Sequence, residues 1–546
     1  MANVVLVSFA GYPYTPSSLC PDNGLGILAA VLREAGHAPL ILDFGTLETM
    51  RRLFPEELSA QVAPLLAELM QHPGAPDPKL LARLAQANAE LESHQAREIE
   101  AIGDELSAIV ADVDPACVCF KLWNGDGLSG SVTIAEILRR RHPHVKLYAG
   151  GPHATWFGHR IFVYTQAFDA IAVGEGESTI LRLVDHATRG TSLDGVPGLI
   201  RSVDERTTAP CETALDDLPL ALYDTDVYPA MAGDQKLKMI VLDESRGCPF
   251  DCAFCTHPIE SGRRLRTRSA KRIVDDMEAI ITRHGIHAFR FAGSSTPGSL
   301  MAEVADQILA RDLKVQYASF AHFASARPEH FEIMRKSGLH AMFFGLETGS
   351  EDLLRRVAGK ASKLHNIRET VEAAKAAGVA VVCSMIVPMP FETEETFQES
   401  LDLLLALRPD SVPVQFPGLL PGTRWFESPE QYGFEVDREA YLAQNLAYKI
   451  KLLFPPTFWE PLPYSIHNGA GEKLGFAEMI RQTGRFVAAL EANGILTGVP
   501  DDNLLMAHLV GMSPRQFRDA ARLWCATGDA EALGRFVCAV NHASAS

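Results

Sequence analysis

In the run ESRGCPFDCAFCTHP, Cys248, Cys252 and Cys255 stand at a C-x-x-x-C-x-x-C spacing. Three thiolates this close fall one short of a closed four-ligand site. Thiolates are the usual ligands of a [4Fe–4S] cluster, and three of them leave one iron open to something other than protein. Structural zinc asks instead for a fourth Cys or His in tetrahedral closure. His257, two residues past Cys255, is the nearest candidate, but Pro258 follows it and the pairing is tighter than a usual zinc ribbon. The apolar run MIVLDESRG leads into the first Cys, so the loop sits at the carboxyl end of a strand.

Beyond the loop, β-rich apolar runs alternate with amphipathic stretches of helical period, the pattern of parallel strands joined by crossover helices. HAFRFAG (287–293), HAMFFGLETGS (340–350), VAVVCSMIVPMP (379–390) and SVPVQFPGLLPGT (411–423) read as strands of a partial (β/α) barrel over residues 236–425. Sites in such barrels lie at the carboxyl ends of the strands. Glu347 ends one of them, where an unpaired carboxylate is costly, so it is expected to face the site; a capping or salt-bridged acid is the alternative.

Residues 1–200 read differently. VVLVSFAGYPY, APLILDF, PACVCFKLWN, VKLYAGG and DAIAVGEGE alternate with helical stretches as an open doubly wound sheet, interrupted by an Ala-, Leu- and Glu-rich helical insertion at 48–112. Ligands of such sheets bind beyond the strands' carboxyl ends. Gly150, Gly151, Gly174 and Gly176 fall there, where glycine lets backbone approach a ligand, although tight turns need glycine as well. Residues 201–235 form a linker. The segment 426–546 reads as a small, mostly helical carboxyl-terminal domain opened by an aromatic and proline-rich loop, FPPTFWEPLPYSIHNG, in which Phe454, Phe458, Trp459, Tyr464 and His467 suit substrate recognition or simple packing.

The Cys spacing, with Phe254 just before the last Cys, resembles the signature of radical S-adenosylmethionine (SAM) enzymes. With GLGILAAVLREAGH, GGPHAT and GEGE upstream, residues 1 to about 425 resemble the cobalamin (B12)-dependent members of that family, most of all its methyltransferases. The resemblance implies three cofactors: a [4Fe–4S] cluster on Cys248, Cys252 and Cys255, SAM on its open iron, and cobalamin. It implies SAM contacts at Phe254, Ser294, Ser295, Glu347 and Ile386. Cobalamin contacts are implied at Lys121, Trp123, Asn124, Gly150, Gly151, Pro152, His153, Gly174, Glu175 and Gly176; substrate contacts are expected at Trp459 and Tyr464 from the aromatic loop itself, which lies beyond the stretch the resemblance covers.

Two departures stand out. AGSSTP replaces the acidic pair common after the second strand in relatives, and no D-x-H-x-x-G motif offers a histidine beneath cobalt. The implied reaction moves a methyl group from SAM through methylcobalamin to an unactivated carbon, or to phosphorus, of a small molecule or natural product. A non-methylating cyclase or rearrangement enzyme is the alternative, and an RNA methylthiotransferase a more distant one. An electron donor such as flavodoxin or ferredoxin is the implied partner; no catalytic side chain is assigned.

A net charge of −18 argues against an extended nucleic-acid surface. No apolar run reaches the length of a membrane span, and the amino terminus lacks a basic n-region. A reducing cytoplasm is therefore expected, with the remaining seven cysteines as free thiols.

Overall fold

The computed structural model describes residues 1–9, 15–71, 77–212, 214–360, 362–449 and 459–545. The first sheet has the order β2-β1-β3-β4-β5-β6, from β1 (Asn3–Ser8), β2 (Ala38–Asp43), β3 (Cys117–Lys121), β4 (Lys146–Gly150), β5 (Ala170–Ala172) and β6 (Leu199–Ile200). All pairs are parallel except β5 with β6. Val4 to Val7 are fully buried, as expected of a central strand covered on both faces. Because β2 and β3 lie on opposite sides of β1, the winding reverses there and opens a crevice at the strand ends. The helix Asn23–Glu34 starts in that crevice, its first turn capped by the Asp22 carboxylate, which accepts the Leu25 N–H.

The insertion is helical as expected: Leu47–Leu53, Glu56–Gln71 and a 36-residue helix, Pro78–Val113. The long helix opens on an Asp77 cap with proline in its first turn, and it packs on the helix Asp126–Arg141.

The second sheet runs β14-β13-β12-β11-β10-β7, all parallel: β7 (Ile240–Leu242), β10 (Ala288–Phe291), β11 (Gln316–Ala321), β12 (Leu339–Glu347), β13 (Ala380–Ile386) and β14 (Val414–Gln415). A small antiparallel ladder, β8 (Ser245–Arg246) with β9 (Arg266–Thr267), flanks the three-Cys loop. The strand expected over 411–423 shrinks to two residues because Pro413 and Pro417 carry no N–H for a ladder.

Tyr317 donates to the Met334 carbonyl, so its face of β11 meets the outer helices. Phe320, three residues on, faces the concave side with Arg290 stacked over its ring. The helix Asp501–Leu509 fills that concave side against β11, β12 and β13, with Asp501 and Asp502 paired to Arg290. Leu504, Leu505, Met506 and Ala507 of this helix are buried, whereas His508 near its end is exposed.

The carboxyl-terminal segment adds helices Phe476–Ala492, Pro514–Thr527 and Ala530–Ala543, and a three-stranded antiparallel sheet that the sequence reading did not anticipate: β15 (Phe434–Val436), β16 (Tyr464–His467) and β17 (Lys473–Gly475). Asn541 accepts the Lys238 N–H at 2.6 Å and donates to the Lys236 carbonyl at 3.0 Å, while Lys236 pairs with Asp43 of β2 at 2.7 Å, both charges buried. These contacts tie both sheets and the last helix together. Among the described residues no helix is long and apolar enough to cross a membrane.

Candidate functional site

The three-Cys loop is fixed from both sides. Gly247 holds φ +77°, and a Cβ there would overlap the Arg264 carbonyl, so the approach to Cys248 admits only glycine. The Cys248 N–H donates to the Gly262 carbonyl at 3.1 Å and the Ala253 N–H to Ala358 at 2.8 Å. The Trp425 N–H donates to the Ala253 carbonyl at 3.0 Å, its indole N–H to Val357 at 2.9 Å, and its ring packs on Phe254.

Burial pushes the Cys252 thiol up to about 11, against the pull of Lys360, and the Cys255 thiol up to about 12. Each also feels the charge of its sister sulfurs, so the three share one pocket. Among the described residues no three His, Cys, Asp or Glu side chains converge on a single metal ion. Three cysteines in a C-x-x-x-C-x-x-C run, with no fourth ligand from the loop, suit a [4Fe–4S] cluster with one open iron better than a closed tetrahedral zinc site. His257 is half-exposed, with Nδ1 3.9 Å from Glu260 rather than on a sulfur. Iron binding here has to release protons from the buried thiols.

Around this loop the strand ends gather. Glu347, buried and at φ +71°, closes β12 and pairs with Lys360 Nζ at 2.7 Å; Lys360 also donates to the Gly345 carbonyl and sits over the Phe254 ring. Burial alone would lower the Lys360 pKa, but the Glu347 charge holds it above the ordinary lysine value. Lys360 was missed in the sequence because it lies thirteen residues past its partner, in a loop without a motif of its own.

Ser294 donates to the Gly247 carbonyl at 3.3 Å and faces the cavity described below. Ser295 is buried, its hydroxyl 3.1 Å from Ser325. Ile386 is buried at the end of β13, beside Gln415. The AGSSTP turn is held by an acid from another strand: Glu244, just past β7, accepts the Ala292 and Gly293 N–H groups and the Thr296 hydroxyl. Burial raises its carboxyl to about 7.

Between the first sheet and this loop lies a cavity of about 450 Å³. Lys121, Gly150, Gly151, Pro152, Gly174, Glu175 and Gly176 line it from the sheet; Arg246, Gly247, His257, Glu260 and Ser294 line it from the barrel side. Gly150 and Gly176 are not at positive φ, and a Cβ on Gly176 would meet only Leu28, so these glycines leave open a cradle that side chains would fill. A large ligand of the corrin type fits such walls, and the loop's three thiols fit a cluster.

Trp123 and Asn124 line an adjoining cavity of about 470 Å³ instead. Lys121, paired with Asp22 at 2.5 Å and lying over the Trp123 ring, stands on the wall shared by the two. His153 does not line either cavity: it is buried, 2.9 Å from the Leu446 carbonyl, and burial lowers it to about 4. Glu175 is held by Arg266, and the neighbouring Trp156 indole donates to Glu260 at 2.7 Å, joining the sheet to the cluster loop.

By its charge alone the basic run RRLRTRSAKR (263–272) reads as a solvated helix start or a contact for the carboxylate of SAM; in the structure it is partly interior. Arg266 and Arg268 are buried, on Glu175 and Asp276. Tyr464 is buried in β16 with its hydroxyl on the Pro417 carbonyl, and Trp459 packs partly buried on the core. Phe454 and Phe458 lie outside the described residues. All ten cysteines are free thiols.

Residues 245–404 match the sequence profile of the radical SAM superfamily. An uncharacterized methyltransferase of Pyrococcus horikoshii is 26% identical over 62% of this chain and 75% of its own length. An anaerobic magnesium-protoporphyrin IX monomethyl ester cyclase of Rubrivivax gelatinosus is 24% identical over 50% of this chain; the chain spans about half of that relative, 51%. The structure of the radical SAM methyltransferase TsrM from Kitasatospora setae, with cobalamin and a [4Fe–4S] cluster bound, superposes with a TM-score of 0.63 at 16% identity, covering 98% of this chain and 99% of that one. Residues 245–404 thus carry a radical SAM domain, and the chain as a whole shares the fold of that TsrM structure.

Proposed function

We propose that this protein is a cobalamin-dependent radical SAM methyltransferase acting on a small molecule. The observation that carries the reading is a cavity walled by the carboxyl ends of β3, β4 and β5 on one side and, on the other, by residues that flank the three-Cys loop, Ser245, Arg246 and Gly247 before it and His257, Glu260 and Ser261 after it. When bound, the cluster and SAM supply a deoxyadenosyl radical, and cobalamin supplies a transferable methyl group.

The chain's own residues provide placement. Cys248, Cys252 and Cys255 hold the cluster, and the carbonyl and indole contacts of Ala358, Val357 and Trp425 fix their loop. Glu347 and Ser294 bracket the position for SAM beside it, and Glu244 shapes the backbone of the Ala292–Gly293 turn. Gly150, Gly151, Gly174 and Gly176 admit the corrin. His153, bonded to the Leu446 carbonyl and outside the cavity lining, would not be offered to a bound cobalamin as an imidazole ligand. A one-electron donor of the flavodoxin or ferredoxin type feeds the cluster from outside.

The similarity to a cyclase favours one second reading, cofactor-dependent cyclisation or rearrangement without net methylation. Anaerobic turnover with deuterated-methyl SAM and candidate small molecules distinguishes the two. Label in a product supports methyl transfer; deoxyadenosine with an altered, unlabelled product supports the second reading.

A further inference from the structure

One wall of the cavity is built of buried charge. Glu175 and Glu177 come from the turn after β5 and the start of the helix Glu177–Arg189, whereas Asp243, Arg246 and Arg266 come from the barrel side. Arg246 donates to Glu177 Oε1 at 2.6 Å and to Asp243 Oδ2 at 2.6 Å, and it lies 3.2 Å from Glu175 Oε2. Arg266 grips both oxygens of Glu175, at 2.6 and 2.9 Å. Three carboxylates thus share two guanidinium groups. Glu177 Oε2 is buried with no hydrogen-bond partner, and Glu177 lines the cavity.

A buried carboxylate oxygen left without a donor is destabilising by about 1–3 kcal/mol or more. Glu177 lines the cavity, so a turn of its carboxylate offers this oxygen to an N–H or O–H of a ligand, and the surplus negative charge disfavours an anionic one. Corrins carry neutral primary carboxamides around their rim, which are donors of this kind. Arg246, which holds the other oxygen, is two residues from Cys248. The intervening Gly247 accepts the Ser294 hydroxyl on its carbonyl and has no room for a Cβ beside the Arg264 carbonyl, so Arg246 and Cys248 flank a tightly held position.

We propose that Glu177 reads the occupancy of the cavity for the cluster loop: a corrin carboxamide donates to Glu177 Oε2, and the Arg246 fork transmits the resulting order to Cys248. This rests on the cobalamin reading above. Neither Glu177 nor Arg246 has a signature of its own; what marks them is a free oxygen on one and the other's place in the chain.

The test uses the full-length, cluster-reconstituted protein under anoxia. It is titrated with cobalamin and with derivatives in which each rim carboxamide in turn is hydrolysed to a carboxylate. At least one derivative is expected to bind tenfold or more weakly than cobalamin to the native protein, and to recover to within about threefold in Glu177→Gln. Cobalamin loading is also expected to slow amide hydrogen exchange over residues 244–262 in the native protein and not in Glu177→Gln.

Equal binding of all derivatives to the native protein, or an unchanged exchange response in the variant, overturns the proposal. If Glu177→Gln does not fold, the native titration alone still decides. Absence of any cobalamin binding by the native protein overturns the broader cobalamin reading and this inference with it, whereas tight binding without discrimination overturns only the role of Glu177.

Discussion

Lys360 Nζ lies 2.7 Å from Glu347 Oε1, and both side chains are buried beside the three thiols of the cluster loop. Breaking such a pair by removing one partner leaves an uncompensated charge in a dry site, which typically destabilises by about 3–5 kcal/mol. Lys360→Met is therefore expected to lower the midpoint of denaturant unfolding sharply. The double variant Lys360→Met/Glu347→Gln should recover most of the loss, because no lone charge remains. A double variant no more stable than Lys360→Met alone would show that the pair is not coupled.

Cluster assembly depends on the three thiols alone. Cys248→Ala, Cys252→Ala and Cys255→Ala should each abolish the reconstituted cluster's absorbance and SAM cleavage, while Cys525→Ala and Cys538→Ala keep full iron content. Cobalamin binding should survive in the first three, since none of these cysteines lines the cavity. A complete cluster in any of them would contradict the assignment.

The glycines of the cavity separate into two kinds. Gly174 stands at φ +79° and a Cβ there would come within 2.7 Å of Ala209, so Gly174→Ala should destabilise the apoprotein by at least about 1–2 kcal/mol. Gly176 has an ordinary φ and only Leu28 nearby. Gly176→Ala should keep the native melting temperature and weaken cobalamin binding, read by equilibrium titration. Unchanged affinity in Gly176→Ala would place the corrin elsewhere.

His153 makes stability depend on pH with a definite sign. The folded ring stays neutral down to about 4 because it is buried, whereas the unfolded ring protonates near 6.5. Its contribution is complete above pH 6.5 and is lost as pH falls toward 4, on the order of 3 kcal/mol in all. Between pH 7.5 and 5 the apoprotein should therefore lose more stability than His153→Gln does. Parallel losses in thermal unfolding would refute it.

Much of this architecture was legible from local pattern. The continuous apolar runs of β1, β12 and β13 and the glycine-ended strands β4 and β5 gave two parallel sheets, and thiol spacing marked the loop. What stayed hidden was pairing between distant segments. Glu244 accepts the N–H groups of Ala292 and Gly293 at the AGSSTP turn because β7 and β10 are neighbours, a fact no local window contains. The basic run 263–272 reads as solvated until Arg266 meets Glu175 from the other sheet. Tyr464 looks like a loop aromatic, but β16 pairs with both β15 and β17 and encloses it. Short strands with few alternating residues carry too little signal to be seen in advance.

The central claim is that one chain holds a cluster and a corrin on facing walls of one cavity. The most direct measurement is the cofactor content of the anaerobically reconstituted protein, iron by colorimetry and cobalamin by absorbance. The account predicts about four irons and one cobalamin per chain, with cobalamin lost in Gly176→Ala and iron lost in Cys252→Ala. About eight irons and no cobalamin in the native protein, the content of a two-cluster enzyme, would contradict it.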